Sequence, residues 1–122
     1  MAFEDSKKSV TLEAGADLSA KQFFFVSVSA DGQVDATGDG AYAVGVLQND
    51  PAAAGRAAEV AISGISKVSC GGTVTRGGPV SSDTNGEAVD SATGDVILGE
   101  ALETGSDGAI ISIILDTRGD FA

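Results

Sequence analysis

The side chains with chemical potential in this chain are carboxylates, one thiol and a few glycine-rich turns, and their spacing decides what each can do. Asp83, Asn85 and Glu87 alternate, and Asp90 and Asp95 follow them in a Gly-bearing stretch. Alternate residues of an extended strand share a face, so these oxygens could be offered to a calcium ion, which takes carboxylate and carbonyl ligands. A solvated acidic surface explains the same pattern, and the expectation is that no metal is held. Asp35, Asp39 and Gly40 fall where an EF-hand loop would place them, yet Val46 occupies the position of the bidentate glutamate. GAYAVG at 40–45 opens like a phosphate loop, but Val46 and Leu47 stand where lysine and a hydroxyl must reach phosphate and magnesium.

Glu100 and Glu103 are the pair that could do acid and base work, with nothing in the sequence near them to shift a pKa. Cys70 precedes Gly71 and Gly72 without a base, so a small residue at a strand end is the expected role. Arg118, Gly119 and Asp120 spell the tripeptide that integrin ligands display, in what reads as a C-terminal tail. Histidine is absent, which excludes Ser-His and Cys-His nucleophile pairs and imidazole metal sites. A single cysteine excludes an internal disulfide and a multi-thiolate zinc site. The expectation is a protein that is not an enzyme and carries no cofactor.

The elements that would position these groups are short and β-like. The chain has 122 residues, one domain by length, and 43% of them are hydrophobic, so pervasive disorder is not expected. Gly is frequent (17 residues), Pro rare (2) and Trp absent, a composition suited to short strands and many turns. The 18 acidic and 7 basic residues give a net charge of −11, which repels phosphate backbones and argues against a nucleic-acid partner. Lys7, Lys8 and Lys21 lie at the start, whereas residues 31 to 122 carry 14 acidic and four basic side chains. The longest apolar run, Ala109 to Leu115, is broken by Ser112 and far too short to span a bilayer. No secretory signal is read in MAFEDSKKS, so synthesis in a reducing cytoplasm and no membrane partner are expected.

Residues 1–20 contain the alternating Val10 and Leu12 but little else to bury, and read as an extended arm. Residues 21–122 read as the folded domain. Strands are expected at 23–29, 33–36, 41–47, 59–67, 96–103 and 110–115, separated by turns such as Asp31-Gly32. Gly45 inside its strand marks a bulge or a close backbone approach, and Pro51 ends that run. VGVLQNDPAAAGRAAEVAISGISKV at 44–68 is loosely echoed by LGEALETGSDGAIISIIL at 98–115, each an apolar residue, a glycine, a short strand, a polar turn and a second strand. No stretch keeps a 3.6-residue period, so the fold class is all-β, a small compact barrel or sandwich.

Phe23, Phe24 and Phe25 are harder to place. In one strand their rings alternate between faces, so either both faces are covered or a ring lies in an interface, and with so small a core oligomerisation is favoured. The residues expected at a subunit interface or in the core are Phe23, Phe24, Phe25, Val44, Leu47 and Pro51.

The run VGVLQNDPAAAG at 44–55, followed by AEVAISGISKV at 58–68, resembles the central block of a family of tailed-phage capsid decoration, or cement, proteins. GTVTRGGPV at 72–80, SDTNGEAV at 82–89 and GDVILGEAL at 94–102 continue the resemblance in the same order, over roughly residues 22 to 115. The resemblance implies a small β domain that forms homotrimers on the outer surface of an icosahedral head, at three-fold and quasi-three-fold positions. It implies the major capsid protein and self as partners, and a role in holding the shell against internal DNA pressure.

On that reading the arm would add a strand to an exposed edge of a capsid subunit, through Phe3, Lys7, Lys8, Val10 and Leu12. Three linked arms would raise avidity by about 10² to 10⁴ over one. The alternative is a head-fibre or spike base binding host surface glycans through the acidic loops.

Overall fold

A computed structural model describes residues 2–117 and 120–122, so Arg118 and Gly119 of the Arg-Gly-Asp tripeptide lie outside the described residues. The alternating segments form nine strands: β1 (Asp5–Ala14), β2 (Phe25–Ala30), β3 (Gln33–Ala36), β4 (Gly45–Leu47), β5 (Ala57–Ser69), β6 (Pro79–Ser82), β7 (Ala88–Asp90), β8 (Gly99–Ala101) and β9 (Ile110–Leu115). No helix occurs among the described residues.

Strands β1, β3, β2, β4 and β5 pair in that order, and β5 pairs back onto β1, so five strands close into a ring. From β5 the same sheet continues through β9, β8 and β6 to β7. The fold is all-β, but one partly closed nine-stranded sheet takes the place of a clean barrel or a two-sheet sandwich. The length of β5 makes this possible. Its first part pairs with β1 and β4, and Ile65 to Ser69 pair with β9.

Two hydrophobic cores result, and they share a wall. Inside the ring lie Ala14, Leu18, Val26, Val34, Leu47, Ala58 and Val60. On the other side Phe25, Val46, Ala61, Val68, Val80, Leu98, Ile111 and Ile113 belong to a larger core. Successive residues of a strand point to opposite faces, and here each neighbour enters a different core: Phe25 and Val26, Val46 and Leu47, Ala61 and Val60. Strands buried on both faces read as continuous apolar runs, which accounts for Phe25-Val26 and Val46-Leu47 within FFFV and VGVL. Burying one such side chain fully contributes roughly 1.5–3 kcal/mol.

This arrangement revises the expectation for the Phe run. Only Phe25 is in a strand, where it is fully buried. Phe23 has φ 67, a left-handed conformation unusual for a bulky residue. Its N–H donates to the Leu47 carbonyl (2.7 Å) and its carbonyl accepts from the Ser69 N–H (2.9 Å). Both faces of the β2–β4–β5 wall are covered by the chain itself, so the run does not by itself call for a second subunit.

The N-terminal residues are extended, yet the segment from Asp5 to Ala14 is not free of the domain. It pairs along β5 from Asp5↔Ile65 to Glu13↔Ala57, and at its end with β3 through Glu13 and Ala14. Val10 and Leu12 turn inward and pack against the ring core. Between Asp5 and Ser9 the register shifts, where Gly64 (φ 88) leaves space for the Ser6 carbonyl that a Cβ would occupy. The far edge of β1 from Asp5 to Leu12 meets no other named strand.

Candidate docking surface

The carboxylates that might have formed a chemical site are used locally instead. Asp83 Oδ1 accepts the Asn85 N–H (2.8 Å) and the Glu87 N–H (2.9 Å), which is the side-chain turn expected of Asp before a loop. Asp90 accepts the Thr75 N–H (2.7 Å) and hydroxyl (2.8 Å), and Asp95 accepts the Ala92 N–H (3.0 Å). Among the described residues no group of three or more Asp, Glu, Cys or His side chains is arranged to hold a metal ion. Glu100 lines a groove of about 280 Å³ with Pro79, Ile97 and Ile114, while Glu103 accepts the Ser112 N–H (3.3 Å) and does not line it. Cys70 is fully buried. Burial first, then the charges of Glu87 and Glu103, push its thiol up to about 11, so the nucleophilic thiolate is suppressed.

The VGVLQNDP block is a structural corner. Leu47 is in the ring core and Val44 packs against it, while Pro51 is buried and accepts the Leu18 N–H at its carbonyl (2.8 Å). The Asn49 amide donates to the Ala57 carbonyl (3.0 Å) and its oxygen accepts the Glu59 N–H (3.0 Å), so one side chain closes the loop between β4 and β5. Gln48 holds a different set of partners. Its Nε2 donates to the Val46 carbonyl and to the Ser66 hydroxyl (both 3.0 Å), its Oε1 accepts from Lys7 Nζ (2.9 Å), and its carbonyl accepts from Gln22 Nε2 (3.0 Å).

The Phe23–Phe24 segment runs beside the residue before Gln48, since the Leu47 carbonyl accepts the Phe23 N–H and the Leu47 N–H donates to the Phe24 carbonyl (2.9 Å), and two lysines stand over its rings. Lys21 Nζ stands 5.1 Å from the centre of the Phe24 ring, and Lys67 Nζ stands 5.8 Å from that of Phe23. Both phenylalanines are half-buried, with Phe23 packed against the larger core. A cation–ring contact is worth about 0.5–1 kcal/mol where it is open to water and more where it is desolvated. Lys7 is also paired with Glu4. Among the described residues neither Lys21 nor Lys67 has a carboxylate within ion-pair distance.

Of the residues read as an arm, Phe3 and Lys8 are exposed and Lys7 is half-buried. The Phe3 carbonyl accepts the Ser112 hydroxyl (3.0 Å), laying the N-terminal segment against β9. Phe3, Ile110 and Ile114 are large apolar side chains left exposed. Sequence reasoning missed Lys67, Gln22 and Gln48. No local pattern marks them, since contacts such as Lys7 to Gln48 and Lys67 to Phe23 join segments more than forty residues apart.

A family model described as phage cement protein matches residues 4–115. No curated protein matches the chain. Among solved structures, the N base of the head fibre protein gp8.5 of bacteriophage phi29 is similar in fold, with a TM-score of 0.70 and 17% identity over 95% of this chain and 99% of that one.

Proposed function

The chain belongs to the phage cement protein family, and we propose that it decorates the outer surface of an icosahedral phage head as a homotrimer at three-fold and quasi-three-fold positions. There it stiffens the shell against the pressure of packaged DNA. The observation that carries this reading is the family match, which runs from the N-terminal strand through β9. The structure is compatible with a mechanical role: Asp83 and Asp95 brace turns, the thiol is buried, and the strands form one continuous sheet. The major capsid protein and further copies of this chain are the partners proposed. Synthesis would take place in the host cytoplasm and the working location would be the virion surface.

Capsid attachment is assigned to the N-terminal segment, in a form that the fold constrains. Val10 and Leu12 face the ring core, so the groups left to meet a shell are Phe3, Lys7, Lys8 and the far edge of β1. An unpaired strand edge offers main-chain hydrogen bonds to an added strand, and three such edges on one trimer would multiply avidity.

The test is a mixture of the protein with expanded and unexpanded heads, pelleted and counted, beside heating of decorated and bare heads. Saturable binding and slower thermal loss of shells are expected. Absence of binding to either form would overturn the reading. Light scattering checks the trimer, and a monomer mass at micromolar concentration would count against it.

A second reading is a head-fibre or spike base that binds host surface glycans. The fold similarity to the phi29 head fibre N base favours it. Calcium-dependent adhesion to host cells, with no effect on shell stability, would select this alternative.

A further inference from the structure

We infer that the surface around Gln48, built by Lys7, Lys21, Lys67, Phe23 and Phe24, docks an acidic segment of the shell protein. This rests on the cement reading and adds the place and chemistry of contact. Charge is the first argument. The chain carries −11 overall and only four lysines, yet Lys7 bonds Gln48 and two more stand over the rings of Phe23 and Phe24, whose backbone bonds Leu47 and whose neighbour Gln22 bonds the Gln48 carbonyl. An anionic partner is repelled by the acidic body of the molecule and attracted at this place, and such complementarity sets both encounter and register.

The second argument is that two of the three cations hold no ion pair among the described residues, Lys7 being paired with Glu4. Lys21 and Lys67 lack carboxylate partners among the described residues, so an incoming carboxylate breaks no existing ion pair. The third is composition, because half-exposed aromatic rings beside cations are the side chains that dominate interface energetics. The fourth is rigidity. Phe23 keeps its left-handed backbone through bonds to Leu47 and Ser69 and packs against the larger core, and such a conformation persists only where the surroundings over-determine it. A ring held in place beforehand loses little freedom on binding. Lys7 joins this surface to the N-terminal segment, making one continuous attachment face.

The experiment titrates bare heads with wild-type protein, Lys21→Glu/Lys67→Glu, Lys21→Gln/Lys67→Gln, and Arg56→Glu/Arg76→Glu, counting bound protein at low and raised salt. Melting curves show that each variant is folded. Charge reversal should weaken head binding by about 10- to 100-fold and the neutral pair by about 3- to 10-fold with a flatter salt dependence. The arginine pair makes the same change in net charge on exposed side chains that belong to neither cation–ring contact and should stay within about twofold of wild type. Wild-type binding by either lysine variant overturns the inference, as does an equal loss in the arginine variant. Loss of self-association with unchanged binding per subunit would give the surface to a second copy and overturn the shell assignment. Failure of wild-type protein to bind heads would instead overturn the cement reading, and this partner with it.

Discussion

Gly45 of β4 and Ala61 of β5 approach so closely that a Cβ on Gly45 would fall on the Ala61 carbonyl oxygen and against the Val60 side chain. Gly99 of β8 stands in the same relation to the Ile114 carbonyl of β9. The echo between residues 44–68 and 98–115 is therefore a repeated steric requirement. In each hairpin a glycine on the short strand lets the long strand come near.

Gly45→Ala should accordingly lower stability by about 1–3 kcal/mol, the usual cost of overpacking. Gly38→Ala is the control, since a Cβ there meets nothing within 4 Å, and it should stay within about 0.5 kcal/mol. Urea midpoints measure both, and equal losses would contradict the close approach.

Phe25→Ala should cost about 3–5 kcal/mol, because it empties a fully enclosed site in the larger core. Phe24→Ala, at a half-buried position, should cost clearly less. Chemical denaturation of the two variants separates core from surface within one three-residue run.

Cys70 is expected to resist thiol reagents in the native protein at neutral pH and to react once the protein is denatured. Its pKa is raised from 9.0 to about 11 in the fold. A group whose folded pKa is raised stabilises fully below its unfolded value and loses that contribution as pH rises through the folded one. Stability should thus decline between pH 9 and about 11, and Cys70→Ala should remove this part of the decline. A urea midpoint with the same alkaline slope in both proteins would refute the assignment.

Removing residues 2–4 should leave the melting temperature within a few degrees, since β1 begins at Asp5, while weakening attachment to heads through loss of Phe3. Removing residues 2–14 deletes the strand that closes the ring and should abolish cooperative unfolding. Calorimetry distinguishes the two, and a cooperative transition in the longer truncation would show that the ring does not need β1.

Local pattern revealed two elements with their bounds, whereas the strand expected over 96–103 is only Gly99–Ala101. Gln33 to Ala36 and Ile110 to Leu115 are strands where alternation and flanking turns mark them. The run 41–47 was legible only in part, because β4 is Gly45–Leu47 and Val44 contributes a single backbone bond to Val26. The strand anticipated over 59–67 extends to Ala57–Ser69, since its ends are held by β1 and β9, partners remote in sequence. The candidate site was the least legible part. Lys7 and the Phe run stand out in the sequence, but nothing local predicts that Gln48 and Lys67 will join them.

By itself the sequence determined an all-β chain of short strands, the turn positions, the lack of a histidine-based or multi-thiolate centre, and the family resemblance carried by VGVLQNDP. These follow from residue type and local alternation, which act over a few positions. Only the tertiary structure decided that the N-terminal segment closes a ring, that one wall separates two cores, and that Lys7 reaches Gln48 while Lys21 and Lys67 stand over the rings of Phe24 and Phe23. Those outcomes depend on pairings such as Val10↔Val60, whose register is set by which faces can be buried together, a property of the whole sheet.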